Sequence, residues 1–193
     1  MRTVHRMAIM REAARATGRA TDSGVTPRMM KDVLGNFGTG VTVVTALGPH
    51  GPIGFTCQTF ASVSLTPPLV SICPARTSGT WAQIRDIGRF CINILTADHD
   101  ALSDNFAISS SDGRNKFAGL EYISGPAGSP ILPGVLAWVD CSLRAEYDGG
   151  DHTIVVADVL DLDTDFPDED ATNPLLYFRG DYLHRRGSEA EPA

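Results

Sequence analysis

From residue 41 onward, short apolar runs alternate with clusters of Gly, Pro, Asn and Asp, a rhythm that predicts strands joined by turns. VTVVTAL (41–47) is rich in β-branched residues, and GPHGP (48–52) turns the chain back. IGFTCQTFASVSL (53–65) and PLVSICPA (68–75) read as two further strands joined at Thr66–Pro67–Pro68. FCINILT (90–96), VLAWVDCSLRAEY (135–147), HTIVVADVLDLDT (152–164) and LLYFRGDYL (175–183) complete the set, the two long ones meeting around Gly149–Gly150. Helical spacing is confined to three places. MMKDVLGNF (29–37) is one. SGTWAQIRDIG (78–88) is the second, with Ser78 placed to cap it and Trp81, Ile84 and Ile87 on one face. The third opens at Asp98 and runs through Phe106. SSSDGRN (109–115) and the acidic DFPDEDATNP (165–174) are loops.

At least six strands, few helices and no repeating strand–helix unit predict a mainly β fold, a closed or nearly closed antiparallel barrel with peripheral helices. No G-x-G-x-x-G follows a strand and no G-x-x-x-x-G-K-[ST] is present, so neither a Rossmann site nor a P-loop is written here.

Composition adds three constraints. The 193 residues, 42% hydrophobic and 20% charged, suffice for one domain with a proper core, and no apolar run reaches the ~18 residues of a membrane span. The net charge of −7 is uneven: residues 1–26 carry +3 and the remainder −10, which argues against nucleic-acid binding by the main body. Cys57, Cys73, Cys91 and Cys141 lie far apart inside apolar runs, with no zinc spacing; buried, reduced thiols and a cytoplasmic location are the expectation.

The first 26 residues stand apart. Their arginines recur every four or five positions, and no apolar stretch of signal-peptide length follows them. They read as a basic, poorly ordered extension, with an organelle presequence or a partner-binding helix as alternatives; the domain is expected over 27–184 and a tail over 185–193.

Four stretches carry candidate chemistry. On an unbroken strand 53–65, Gly54, Thr56, Gln58, Phe60, Ser62 and Ser64 share a polar, uncharged face, suited either to a planar ligand with many hydrogen-bonding edges or simply to water. Arg76, Thr77, Ser78, Gly79 and Thr80 precede a helix, where hydroxyls and free N–H groups hold a phosphate or only cap the helix. Lys116, one of two lysines, follows a polar loop as a second phosphate contact or as a solvated side chain. In YDGGDHTIVVADV (147–159), His152 heads a strand with apolar residues on both faces, both expected to be covered; the histidine is either structural or at a cavity rim. No G-x-S-x-G accompanies it, so a hydrolytic triad is absent.

Taken together, GFTCQTFASVSLTPPLVSICPARTSGTW (54–81), NKFAG (115–119), GDH (150–152) and YFRGDY (177–182) resemble the flavin reductase components of two-component flavin-dependent monooxygenases, over about residues 29–184. That resemblance implies a split β-barrel homodimer that reduces FAD or FMN with NADH, NADPH being possible, and supplies reduced flavin to a separate monooxygenase. It places a flavin cradle on Thr56, Cys57, Gln58, Thr59, Ser62, Val63 and Ser64, and phosphate contacts on Ser78, Thr80, Lys116 and Phe117. Gly150, Asp151 and His152 fall on the segment associated with the nicotinamide, with His152 as the positioning group and Asp151 fixing the turn. Thr59 stands where the family often has serine, which keeps the hydroxyl. A reductase that releases its flavin needs only about micromolar affinity, roughly −8 kcal/mol. The alternative is a non-catalytic split-barrel protein binding flavin or haem, which would keep the cradle without a nicotinamide site.

Overall fold

The computed structural model describes residues 24–109, 112–164 and 173–183. The basic extension up to residue 23, most of the acidic loop and the tail after Leu183 lie outside them. The chain divides into two units at Phe37 and Gly38. The first contains α1 (Pro27–Leu34), where the Thr26 hydroxyl accepts from the Met29 N–H at 3.2 Å and Pro27 supplies the first turn. Asn36 Nδ2 donates to the carbonyls of Asp32 and Val33, closing the helix at Leu34 instead of carrying it to Phe37.

The second unit is mainly β. Its strands are β1 (Thr39–Gly40), β2 (Thr42–Gly48), β3 (Gly51–Cys57), β4 (Ala61–Leu65), β5 (Pro68–Ile72), β6 (Arg89–Ile94), β7 (Ile123–Ser124), β8 (Pro130–Ile131), β9 (Ala137–Gly149), β10 (His152–Thr164), β11 (Leu176–Phe178) and β12 (Asp181–Leu183). Two helices join them, α2 (Gly79–Ile87) and α3 (Asp100–Ala107). Seven strands form one antiparallel sheet in the order β3-β2-β6-β9-β10-β5-β4, with small sheets β1-β11-β12 and β7-β8 beside it.

Flat, the two edges of that sheet would stand about 29 Å apart, six gaps of roughly 4.8 Å. Yet β3 and β4 are the edges, and residues 58–60 alone connect them. Four Cα steps reach at most about 14 Å. The sheet is therefore rolled into an antiparallel barrel, left split between two edges that do not pair. The expectation of one unbroken strand over 53–65 is corrected here: rolling requires a break at 58–60, and the alternation of faces does not carry across it. A bulge between Ser62 and Ser64 shifts the register again.

The same rolled sheet explains why its central strands are nearly continuous apolar runs. Val44 and Ala46 of β2 and Phe90 and Ile92 of β6 join one core, closed by Trp81 and Ile84 of α2. Val43 of β2 and Cys91 of β6 face a second core with Phe106, Phe117, Leu132 and Leu175. Both faces of these strands are buried. β10 differs: Val155 and Ala157 are buried, while Ile154, Leu160 and Leu162 are exposed, so the expectation that both its faces are covered fails for the single chain.

Asp140 of β9 is fully buried. Its Oδ2 accepts from the Ala127 N–H at 2.6 Å, and Oδ1 has no partner among the described residues. Burial pushes its carboxyl above the usual range, against the hydrogen bonds that favour the anion. A raised folded-state pKa means stability present below the unfolded value and lost as pH rises through the folded one. Wild-type melting temperature relative to Asp140→Asn should therefore fall as pH rises above the ordinary carboxylate range of about 4; a difference independent of pH would show that the carboxyl titrates alike in the folded and unfolded chain.

Candidate functional site

A cleft of about 450 Å³ opens at the split. Its walls come from the end of β3 and the 58–60 link, from residues 73–80 leading into α2, from the end of α3, and from Lys116 and His152. Thr59 seals the closed end of the split. Its hydroxyl accepts from the Cys73 N–H at 2.8 Å, donates to the Cys73 carbonyl at 3.3 Å and lies 3.2 Å from Cys57 Sγ. Thr56 is tied down from the other side, donating to the Ser103 carbonyl at 2.6 Å. Ser103 in turn is hydrogen-bonded through Oγ to the Tyr182 hydroxyl, 2.9 Å away, which also donates to Asp104 Oδ1 at 2.7 Å. The cleft wall is thus fixed to β12 through α3.

Lys116 is 7% exposed, not a solvated loop residue. Its Nζ donates to the carbonyls of Phe106 (2.8 Å) and Gly54 (3.2 Å). Burial pulls its ammonium below the usual lysine range. The position is built from long-range packing. Gly54 has no Cβ, and one there would lie 2.8 Å from Phe106 Cε1 and from the Val44 carbonyl. Only glycine lets the Phe106 ring close over β3 and bring both carbonyls to one ammonium. Across the cleft, the Ser78 hydroxyl accepts from the Trp81 N–H at 3.1 Å, leaving the N–H groups of Gly79 and Thr80 at the helix start.

At the rim, the hairpin turn holds His152. Gly150 takes φ +80°, which a side chain would strain. Asp148, not Asp151, fixes this turn: its Oδ1 accepts from the Gly150 N–H at 2.9 Å and from the Arg76 guanidinium, and both hold its carboxyl below the usual range. Asp151 instead lies 2.8 Å from His152 Nδ1. That hydrogen bond holds the Asp151 carboxyl low, and a carboxylate can only accept, so Nδ1 carries the hydrogen and Nε2 is left for a ligand.

Of the residues singled out in the sequence, the structure brings Thr56, Cys57, Gln58, Thr59, Ser78, Thr80, Lys116 and His152 to this one cleft. Ser62, Val63 and Ser64 sit on edge strand β4, outside its lining. Gly150 and Asp151 support His152 from the turn. The Phe117 ring is buried edge-on against Phe106, centroids 5.0 Å apart, and borders a second, smaller cleft. Cys73 is half-buried and lines the main cleft, where full burial was expected. Burial raises the Cys57 thiol and pushes Cys141 up to about 12, so neither is an activated nucleophile. Sequence reading missed Phe55, Ser103 and Phe106. A serine one residue after Leu102 and three before Phe106 is the visible trace of a helix face that packs tightly.

The wall fits a planar, hydrogen-bonding ring: Phe55, the Thr56 and Thr59 hydroxyls and the Gln58 amide carry no charge. At one end, a buried ammonium faces a helix start, a fit for phosphate. The family model described as Flavin reductase like domain matches residues 34–184. The reductase subunit HsaB of a flavin-dependent monooxygenase from Rhodococcus jostii is 41% identical over 176 residues, 91% of this chain and 87% of that protein. The crystal structure of nitrilotriacetate monooxygenase component B from Mycobacterium thermoresistibile superposes with a TM-score of 0.77 at 41% identity, covering 86% of this chain and 90% of the other. The NADH:FAD oxidoreductase SgcE6 of Streptomyces globisporus, in complex with NAD and FAD fragments, gives 0.74 at 31% identity over 86% and 98%.

Gly54→Ala tests the construction of this wall. Overpacking against Phe106 should cost about 1–3 kcal/mol and displace Lys116. A lowered melting temperature together with weakened flavin binding in a fluorescence titration is the expected result.

Proposed function

The chain belongs to the flavin reductase-like family, and we propose on that basis that it oxidises NADH to reduce FAD or FMN and releases the reduced flavin to a separate flavin-dependent monooxygenase. The observation that supports this reading best is the convergence, in one cleft, of the uncharged 55–59 wall, the Lys116 ammonium facing the start of α2, and the His152 ring.

Bound together, flavin and nicotinamide supply hydride exchange between themselves, which requires reacting atoms about 3–3.5 Å apart. The protein's residues bind and orient. Gln58 offers its amide and Thr56 the lone pairs of its hydroxyl to the ring edge, while Thr59, its hydroxyl taken up by Cys73, holds the wall in place. Ser78, Thr80 and Lys116 take the phosphate, with the free N–H groups of Gly79 and Thr80. His152, held through Nδ1 by Asp151, presents Nε2 as an acceptor for the carboxamide N–H of the nicotinamide. A nucleophile from the protein is not needed, which agrees with thiols that burial keeps protonated. NADPH is the second candidate donor.

We further infer a homodimer working in the cytoplasm. Ile154, Leu160 and Leu162 of β10, and Val63 and Leu65 of β4 on the far side of β5, are exposed apolar side chains. A second copy would cover what the chain's helices do not. Among the described residues, no helix is long and apolar enough to cross a membrane. The domain boundaries at 27 and 184, with a basic extension before and a short tail after, form part of the same reading.

Three measurements test this. Purified protein should oxidise NADH only when free flavin is added; oxidation without flavin, or none with it, refutes the reaction. His152→Ala should raise KM for NADH about two- to tenfold, the loss of one hydrogen bond of ~0.5–1.5 kcal/mol, while flavin affinity stays within twofold. Sedimentation at micromolar concentration should give a dimer, and Leu162→Glu should shift it towards monomer.

A further inference from the structure

A second cleft of about 240 Å³ adjoins the first, and the two share Thr80 and Lys116. Those are the residues to which the proposed function, on which this inference rests, gives the flavin phosphate. A ligand phosphate held between them therefore has one cleft on each side: the uncharged wall of Thr56, Gln58 and Thr59 on one, and a pocket built from Pro52, Ile53, Gln83, Arg114 and Asn115 on the other. FMN ends at that phosphate and would leave the second pocket unused. FAD continues beyond it with a second phosphate, a ribose and a purine.

The second pocket has the chemistry for that continuation. Arg114 is exposed at its rim and makes no ion pair among the described residues, whereas Arg76, Arg85 and Arg144 are each bonded to an aspartate. Two of the hydrogens on Lys116 Nζ are already committed to the Phe106 and Gly54 carbonyls. One ammonium with one free N–H serves a single phosphate; a diphosphate calls for a further cation, and a guanidinium two residues away supplies it in a forked geometry suited to phosphate oxygens. Ile53 and Pro52 provide an apolar surface against which a purine can lie, and Gln83, whose Nε2 donates to the Gly79 carbonyl at 3.2 Å, keeps its amide oxygen as an acceptor. Asn115 is occupied in shaping the wall, its Oδ1 accepting from the Phe117 N–H at 3.0 Å.

We infer that this second cleft receives the adenylate half of FAD, and that Arg114 is the residue by which the protein prefers FAD to FMN. The source of the adenylate matters, because a pyridine nucleotide carries one too. The chemistry is shared, and the two are told apart by which ligand responds to loss of the arginine.

The test is equilibrium titration of the wild-type protein and of Arg114→Ala with riboflavin, FMN and FAD, by flavin fluorescence and without NADH, followed by steady-state kinetics in NADH. Wild-type protein should bind FAD about tenfold more tightly than FMN, the scale of one hydrogen bond to a charged group. Arg114→Ala should abolish that difference and leave FMN and riboflavin within twofold of wild type; Arg114→Lys should restore part of it. Unaltered circular dichroism and melting temperature confirm that the variant is folded, and Gln83→Ala, in the same pocket, should weaken FAD alone in the same way. Equal affinity of the wild type for FMN and FAD overturns the inference. So does an equal loss of both in Arg114→Ala, which would place the arginine at the shared phosphate, and so does a raised KM for NADH with FAD binding unchanged. If none of the three flavins binds the wild type, the function proposed above fails as well, an outcome distinct from flavins that bind without discrimination.

Discussion

The link of Gln58, Thr59 and Phe60 between β3 and β4 is too short for any flat arrangement of the sheet, and the rest of the architecture follows from that shortness. Rolling the sheet places both faces of its middle strands against other elements, so each needs its own core. It also leaves two unpaired edges facing one another. An open edge ordinarily invites another chain; here the link and the Thr59–Cys73 hydrogen bonds close one end of the gap, and the remainder becomes the cleft. The binding site is thus a by-product of incomplete closure, lined by backbone at a strand end and by the start of a helix.

The electrostatics of that cleft depend on how its one buried cation is held. Pairing Lys116 with a carboxylate would offset the cost of burial but cancel the charge. Carbonyls solve the same problem differently. The Phe106 and Gly54 oxygens replace water around the ammonium while leaving its full charge to act on whatever enters. The cost of that choice is visible in the lowered lysine pKa. The same logic runs in reverse at the rim, where Asp151 is spent on His152 and fixes which ring nitrogen is free.

Much of this was legible in the chain alone. Strand positions followed from β-branched runs between turn residues, and the Ser78 cap and the Trp81–Ile84 face emerged as read. What could not be read were effects of closure. QTF at 58–60 contains neither Gly nor Pro, so nothing local marks the break that rolling demands. Lys116 follows a polar loop and reads equally as a phosphate contact or as a solvated side chain; its partners lie 62 and 10 residues away in the chain and meet only through the bare Cα of Gly54. Asp148 and Asp151 flank the same two glycines, and only the geometry of the turn decides that the first braces it while the second turns to the histidine. The apolar outer positions of β10 read as core because a sequence does not say whether a covering surface belongs to the same molecule.

The alternation along β2 and β6 bears on how such a protein can change over time. Val43 and Val44 are joined by one peptide bond yet belong to different cores, one with Phe106 and Leu132, the other with Trp81 and Phe90. Volume lost at one position can be made good only by residues in its own core, while its immediate neighbour is indifferent to the exchange. The strand therefore carries two interleaved sets of compensating positions. Drift in the set beneath α3, next to Phe106 and Lys116, bears on ligand choice; drift in the set around α2 bears mainly on how firmly the barrel is filled.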